Sequence, residues 1–187
     1  MRLAKNNRAL TQAEKSTAFS VFLDTLPYDF VRITDGLGAG NRAFTFPGAP
    51  LSAGGIATKV FGVLGGIGAG LAVADLIVYI NFGPMGYANA LSDSRTFIHE
   101  MTHAWQYLHG LHVAADSLSN QIAYGDEAYD YDKPAGLAWD LYNVEQQAEI
   151  VADWYVAANA AGATPASNIS HPNFKYIRDN IRANKPR

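Results

Sequence analysis

Cysteine is missing altogether from these 187 residues. No disulfide framework, thiolate metal site or cysteine nucleophile is therefore available, and neither oxidising nor reducing surroundings are excluded. Charge is sparse at 17 % of residues, and the net charge of -3 carries no basic excess. A general nucleic-acid partner is not expected, because such proteins present a basic patch. The basic residues gather at the ends (Arg2, Lys5 and Arg8; Lys175, Arg178, Arg182, Lys185 and Arg187), which predicts solvated tails. The N-terminus has no apolar core of a secretory signal. A membrane-spanning run is also lacking. The uncharged, glycine-rich stretch Val60 to Ala74 has fifteen residues, against the roughly 20 that a spanning helix needs. Five of the fifteen are glycine, with Gly62, Gly66 and Gly70 spaced as in close-packed helices. A buried segment or flap is the expectation for the glycine-rich region 52–75, and membrane association is not expected.

Apolar residues, by contrast, make up 49 % of the chain, enough for a core. Thr11 and Glu14 have capping-box spacing and open a predicted helix reaching about Leu26, which Pro27 stops. FVRIT (30–34) and RAFTF (42–46) suggest strands around the turn Asp35-Gly36-Leu37-Gly38. LIVYINF (76–82) is the strongest strand signal and is expected at a sheet edge, where an extended peptide can pair with it. Gly83-Pro84 should end it. Ser92 or Asp93 can cap a helix from Arg95 to Leu108 that Gly110 terminates. A polar stretch over 111–138 precedes a second long helix from Asp140 to Ala161, and a short helix from Pro172 to Ala183 closes the chain. No repeat or linker divides it, so one α+β domain over 1–187 is expected.

Chemistry concentrates in TFIHEMTHAWQYLHG, which contains His99-Glu100-Met101-Thr102-His103. Histidines four apart share one helix face and can bind one ion, with Glu100 placed to act on water as general base and acid. Zinc in such a site keeps an open position, lowers the pKa of water and polarises a carbonyl. A third ligand is sought in DLYNVEQQAEIVADWYVA. There Leu141, Val144, Ala148, Val151, Ala152 and Tyr155 form an apolar stripe. Glu145 falls within that stripe and Glu149 at its edge, so Glu145 is the expected ligand and Glu149 the alternate, because a buried carboxylate needs a cation or strong hydrogen bonds. The carboxylate left over, or Asp153 further out, can accept the outer N–H of a ligating histidine. His171, Tyr124, Tyr129, Tyr131 and Tyr155 compete as oxyanion donors. His109 and His112, at the helix end, are explained by the favourable C-terminal dipole. The acidic run Asp126, Glu127, Asp130 and Asp132 lacks calcium-loop spacing, and GGIGAG does not complete a dinucleotide motif because position 71 is leucine.

HEMTHAWQ followed by EQQAEIVADWY resembles the zincin-like metallopeptidase domains attached to type VI secretion VgrG spikes and Rhs-type toxins. The resemblance runs closely from Phe97 to Tyr155 and loosely from Leu26 to Phe46. It implies a zincin-like fold, with the active-site helix beside a small sheet and a second helix supplying glutamate. It also implies a zinc site of His99, His103 and a glutamate, with Glu100 as general base. The implied role is an antibacterial effector that cleaves peptide bonds, is secreted without a signal peptide on a spike, acts in a target bacterium's periplasm and is neutralised by an immunity protein. A zinc-dependent cell-wall amidase and a membrane-disturbing protein with structural zinc are the alternative readings.

Overall fold

The structure is a computed structural model that describes residues 2–48, 77–111, 113, 116, 125–160 and 168–187. The glycine-rich run Val60 to Ala74, Tyr124 and His112 lie outside the described residues, so the expectations attached to them are not addressed.

The chain opens with a short strand β1 (Asn7–Ala9) that carries no alternating pattern of its own. Helix α1 (Gln12–Phe22) starts on the expected capping box: Thr11 Oγ1 accepts the Glu14 N–H, and Glu14 Oε2 accepts the Thr11 N–H at 2.8 Å. It ends four residues before Leu26, where Leu23 takes a positive φ of 50° and a 3-10 turn, Leu23–Thr25, follows. Ala18, Phe22 and Leu26 are buried, as their spacing predicts.

Strands β2 (Val31–Thr34), β3 (Phe44–Pro47) and β4 (Val78–Asn81) complete a four-stranded sheet of order β1-β2-β4-β3. β4 runs parallel to β2 and antiparallel to β3, with Thr45 opposite Ile80. This corrects the edge position expected for LIVYINF. β4 is flanked on both sides, and among the described residues the edges are β1 and β3. The packing agrees with that placement, since Val78 and Ile80 are buried alongside Val31 and Ile33. Pro47 in β3 has no N–H to donate, which suits an edge strand.

Gly83, at φ 75°, turns the chain into a short helix α2 (Gly83–Ala88) where only a strand end was expected. Helix α3 (Ser94–Leu108) is capped by Asp93, whose side chain accepts the Thr96 N–H at 3.0 Å, and Gly110 (φ 81°) ends its C-terminal turn. The second long helix, α4 (Val144–Ala160), begins four residues later than its apolar pattern suggested. Asn143 and Gln146 form a reciprocal cap of 2.9 and 3.1 Å, and the preceding residues Trp139–Leu141 make a 3-10 turn. Leu141 therefore leaves the stripe and is 67 % exposed, whereas Ala148, Val151 and Ala152 are fully buried. The C-terminal segment forms one α turn, α5 (Phe174–Tyr176), that widens into a π turn over Ile177–Ile181.

α3 lies against β3 and β4 on one side and against α4 on the other. Phe97, Ile98, Met101, Ala104 and Trp105 of α3, with Ile150, Val151 and Trp154 of α4, are completely buried in the core. The basic ends are not all solvated tails. Arg8 pairs with Glu14 at 2.7 Å, and Arg182 donates to the Ser20 and Val21 carbonyls while lying over the Trp154 ring.

Candidate metal centre

One turn of α3 separates His99 from His103, and both rings point toward α4, where they are 8 % and 5 % exposed. Solvated histidines on an exposed face are thereby excluded. Nε2 of His103 lies 3.1 Å from Nε2 of His99 and 3.1 Å from Glu145 Oε2, which is itself 3.2 Å from His99 Nε2. His99, His103 and Glu145 form the metal-capable cluster among the described residues. Ligand atoms of a tetrahedral site with bonds of about 2.0–2.2 Å stand roughly 3.3–3.6 Å apart, so an ion needs this triangle to spread only slightly.

The protons on the far sides of the rings decide what faces that triangle. His103 Nδ1 lies 2.8 Å from Gln106 Oε1, on the side of the ring away from the cluster. His99 Nδ1 sits 2.9 Å from Glu149 Oε1, within ion-pair reach but off the line of a good hydrogen bond. The Nε2 atoms of the two histidines and a carboxylate oxygen converge on one point, a donor set that can hold a cation. In the absence of a cation, the carboxylates favour a proton on His99 in its place. Burial disfavours a charged His99, yet the Glu145 and Glu149 carboxylates outweigh it and raise its pKa to about 10. Burial likewise opposes ionisation of Glu145, but His103 and His99 hold its carboxyl far below the usual range.

Glu145 and Glu149, one turn apart, take opposite sides of His99. Glu145 faces both Nε2 atoms, and Glu149 backs Nδ1. Arg95, one turn before His99 on α3, donates to both Glu149 oxygens and to Asp153 at 2.9 Å. Asp153 is further held by Lys133 at 2.7 Å and by the Tyr131 hydroxyl at 2.8 Å, so it supports the carboxylate behind His99 without touching a cluster histidine.

Glu100 is 4 % exposed, with Thr45 of β3 donating to its Oε2 at 2.7 Å. Burial pushes its pKa up, more than the two neighbouring imidazoles and the Thr45 hydroxyl pull it down. Of the oxyanion candidates, Tyr131 is committed to Asp153 and Tyr155 is buried on α4. The ring of Tyr129 lies 6.1 Å from that of His99, with the Arg42 guanidinium over it at 5.8 Å. Burial and the Glu145 charge push the Tyr129 hydroxyl up to about 12, so it remains a donor at neutral pH. His171 is not brought to the cluster. Its Nδ1 accepts the Asn173 N–H, and among the described residues no hydrogen bond, ion pair or ring contact joins it to His99, Glu100 or His103. His109 Nδ1 lies 2.6 Å from the Trp105 carbonyl oxygen near the end of α3.

Sequence reasoning missed Thr45, Arg95, Gln106 and Gln147. Spacing offered a signal for two of them: Arg95 stands four before His99 and Gln106 three after His103.

No protein-family model matches the chain. It is 30 % identical over 174 residues to the type VI secretion system spike protein VgrG2b of Pseudomonas aeruginosa, an alignment covering 88 % of this chain but 14 % of that protein. A solved structure, the effector domain of Pseudomonas aeruginosa VgrG2b, superposes with a TM-score of 0.55 at 30 % identity, covering 89 % of this chain and 82 % of the solved one.

Proposed function

The chain belongs to the family of the VgrG2b effector domain, which links it to type VI secretion spikes, and from that premise we propose that it is a zinc metallopeptidase effector of zincin-like fold. The observation that carries the reading is the convergence of His99 Nε2, His103 Nε2 and Glu145 Oε2, with buried Glu100 beside it. These three residues would hold the metal. When bound, zinc supplies a Lewis acid that polarises a carbonyl and makes water acidic near neutral pH.

The protein's own residues do the rest. Thr45 holds one oxygen of Glu100, leaving the other to take a proton from the attacking water and pass it to the departing amine. Its raised pKa suits that shuttle. The substrate strand is assigned to edge strand β3, which carries Thr45, in place of interior β4. Tyr129 is the donor for the developing oxyanion, and Arg42 orients its ring. Carried on a spike, the effector would act in the periplasm of a target bacterium and be countered in its producer by an immunity protein.

The test combines elemental analysis with peptide hydrolysis. One zinc per chain is expected in the wild type, lost in His103→Ala and Glu145→Ala but only weakened in Glu149→Ala. Glu100→Gln should keep the zinc and lose about 10²–10⁴-fold in kcat. A folded wild type that binds no added zinc, or full activity in Glu100→Gln, would refute the reading. Release of fragments from purified peptidoglycan, with no cleavage of unstructured protein, would redirect it to a wall amidase.

A further inference from the structure

His103 is oriented by two glutamines that the hydrolytic chemistry leaves unused. Gln147, on α4, is 4 % exposed and donates both hydrogens of its amide to main-chain carbonyls, Trp139 O at 3.0 Å and Tyr142 O at 3.2 Å. A main-chain carbonyl only accepts, so the orientation of this amide is forced, and Gln147 Oε1 must accept from its neighbour. That neighbour is Gln106 of α3, fully buried, whose Nε2 reaches Gln147 Oε1 at 2.8 Å and the Val144 carbonyl at 3.2 Å. Turning the Gln106 amide over would set its oxygen against two acceptors. Gln106 Oε1 therefore faces His103 Nδ1, 2.8 Å away.

The geometry points to an amide relay, Gln147 to Gln106 to His103, that locks His103 with its proton on Nδ1 and its Nε2 lone pair toward the cluster. The two histidines are thus backed by different chemistry, a carboxylate behind His99 and a neutral amide behind His103. The relay is anchored on the carbonyls of the turn before α4. It therefore also ties the packing of that turn to the state of a ligand on α3. Gln106 and Gln147 are positioning residues, and their consequence for metal affinity rests on the zinc-site reading above.

The decisive measurement uses the full chain, metal-free and labelled with ¹⁵N-histidine, at a pH where His103 is neutral. Two-bond proton–nitrogen correlation then shows which ring nitrogen bears the proton. Wild type should carry it on Nδ1. Gln106→Met, which keeps bulk but removes the acceptor, should give a mixture of tautomers and bind zinc about 10- to 100-fold more weakly. Gln106→Glu restores an acceptor at the same place and should return His103 to the Nδ1 proton. An Nε2 proton in the wild type would overturn the relay without any variant having to fold. So would a Gln106→Met protein that keeps both the wild-type tautomer and the wild-type zinc affinity. A wild type that shows the Nδ1 proton yet binds no zinc would support the relay while removing the metallopeptidase reading.

Discussion

Thr45 shows how one hydroxyl far away in sequence shapes the candidate site. It lies 55 residues before Glu100, on another element, and its 2.7 Å hydrogen bond holds a carboxylate that burial would otherwise leave poorly partnered. Hydrogen bonds to charged groups contribute about 1.5–3 kcal/mol. Because the bond fixes which Glu100 oxygen is free to meet water, Thr45→Val should misplace the base and lower kcat by up to about 100-fold, with little change in KM or zinc content. A mutant with wild-type kcat would assign Thr45 to packing alone. His99, Glu100 and His103 were readable because a helix repeats every 3.6 residues and the motif needs only one helix. The apolar stripe put Glu145 ahead of Glu149 without deciding between them, and the crossing of α4 with α3 sets Glu145 against the Nε2 atoms.

Elements carry their own local instructions, and α1 follows them closely. Its capping box also enters an ion pair, with Arg8 reaching both Glu14 oxygens at 2.7 Å. Burial opposes ionisation of Glu14, and Arg8 with the Thr11 N–H outweighs it, so the folded pKa lies below the ordinary 4.5. A carboxylate whose pKa is lower in the folded state contributes stability above its unfolded pKa and loses it as pH falls through the folded one. Thermal stability should therefore decline as pH drops below about 4.5, and less steeply in Glu14→Gln. Equal slopes in the two proteins would place the acid sensitivity elsewhere. The second long helix shows where local pattern misleads. Leu141 continues the apolar spacing, but the Asn143–Gln146 cap starts the helix after it. β4 misled in another way: an apolar strand reads the same at an edge or inside a sheet, and its neighbours come from residues 31–34 and 44–47.

Across the whole molecule, the cluster joins α3 to α4 at the same interface that Arg95 bridges through Glu149 and Asp153. A metal bound by both helices favours the folded state, by about 2.7 kcal/mol when free zinc is a hundred times Kd. Added zinc should therefore raise Tm and a chelator lower it, with the response abolished in Glu145→Ala. A wild type whose Tm ignores zinc that it demonstrably binds would uncouple the site from folding.

Short-range rules account for what could be read directly: the capping box of α1, the strands around 31–34, 44–47 and 78–81, and the histidine pair with its glutamate. Each depends on residues within a turn or a few positions of one another. Packing set Glu145 rather than Glu149 against the two Nε2 atoms, left β3 rather than β4 at a sheet edge among the described residues, set Thr45 on Glu100 and linked Gln147 through Gln106 to His103. Those outcomes depend on which faces of separate elements meet, and no spacing along a single segment encodes that.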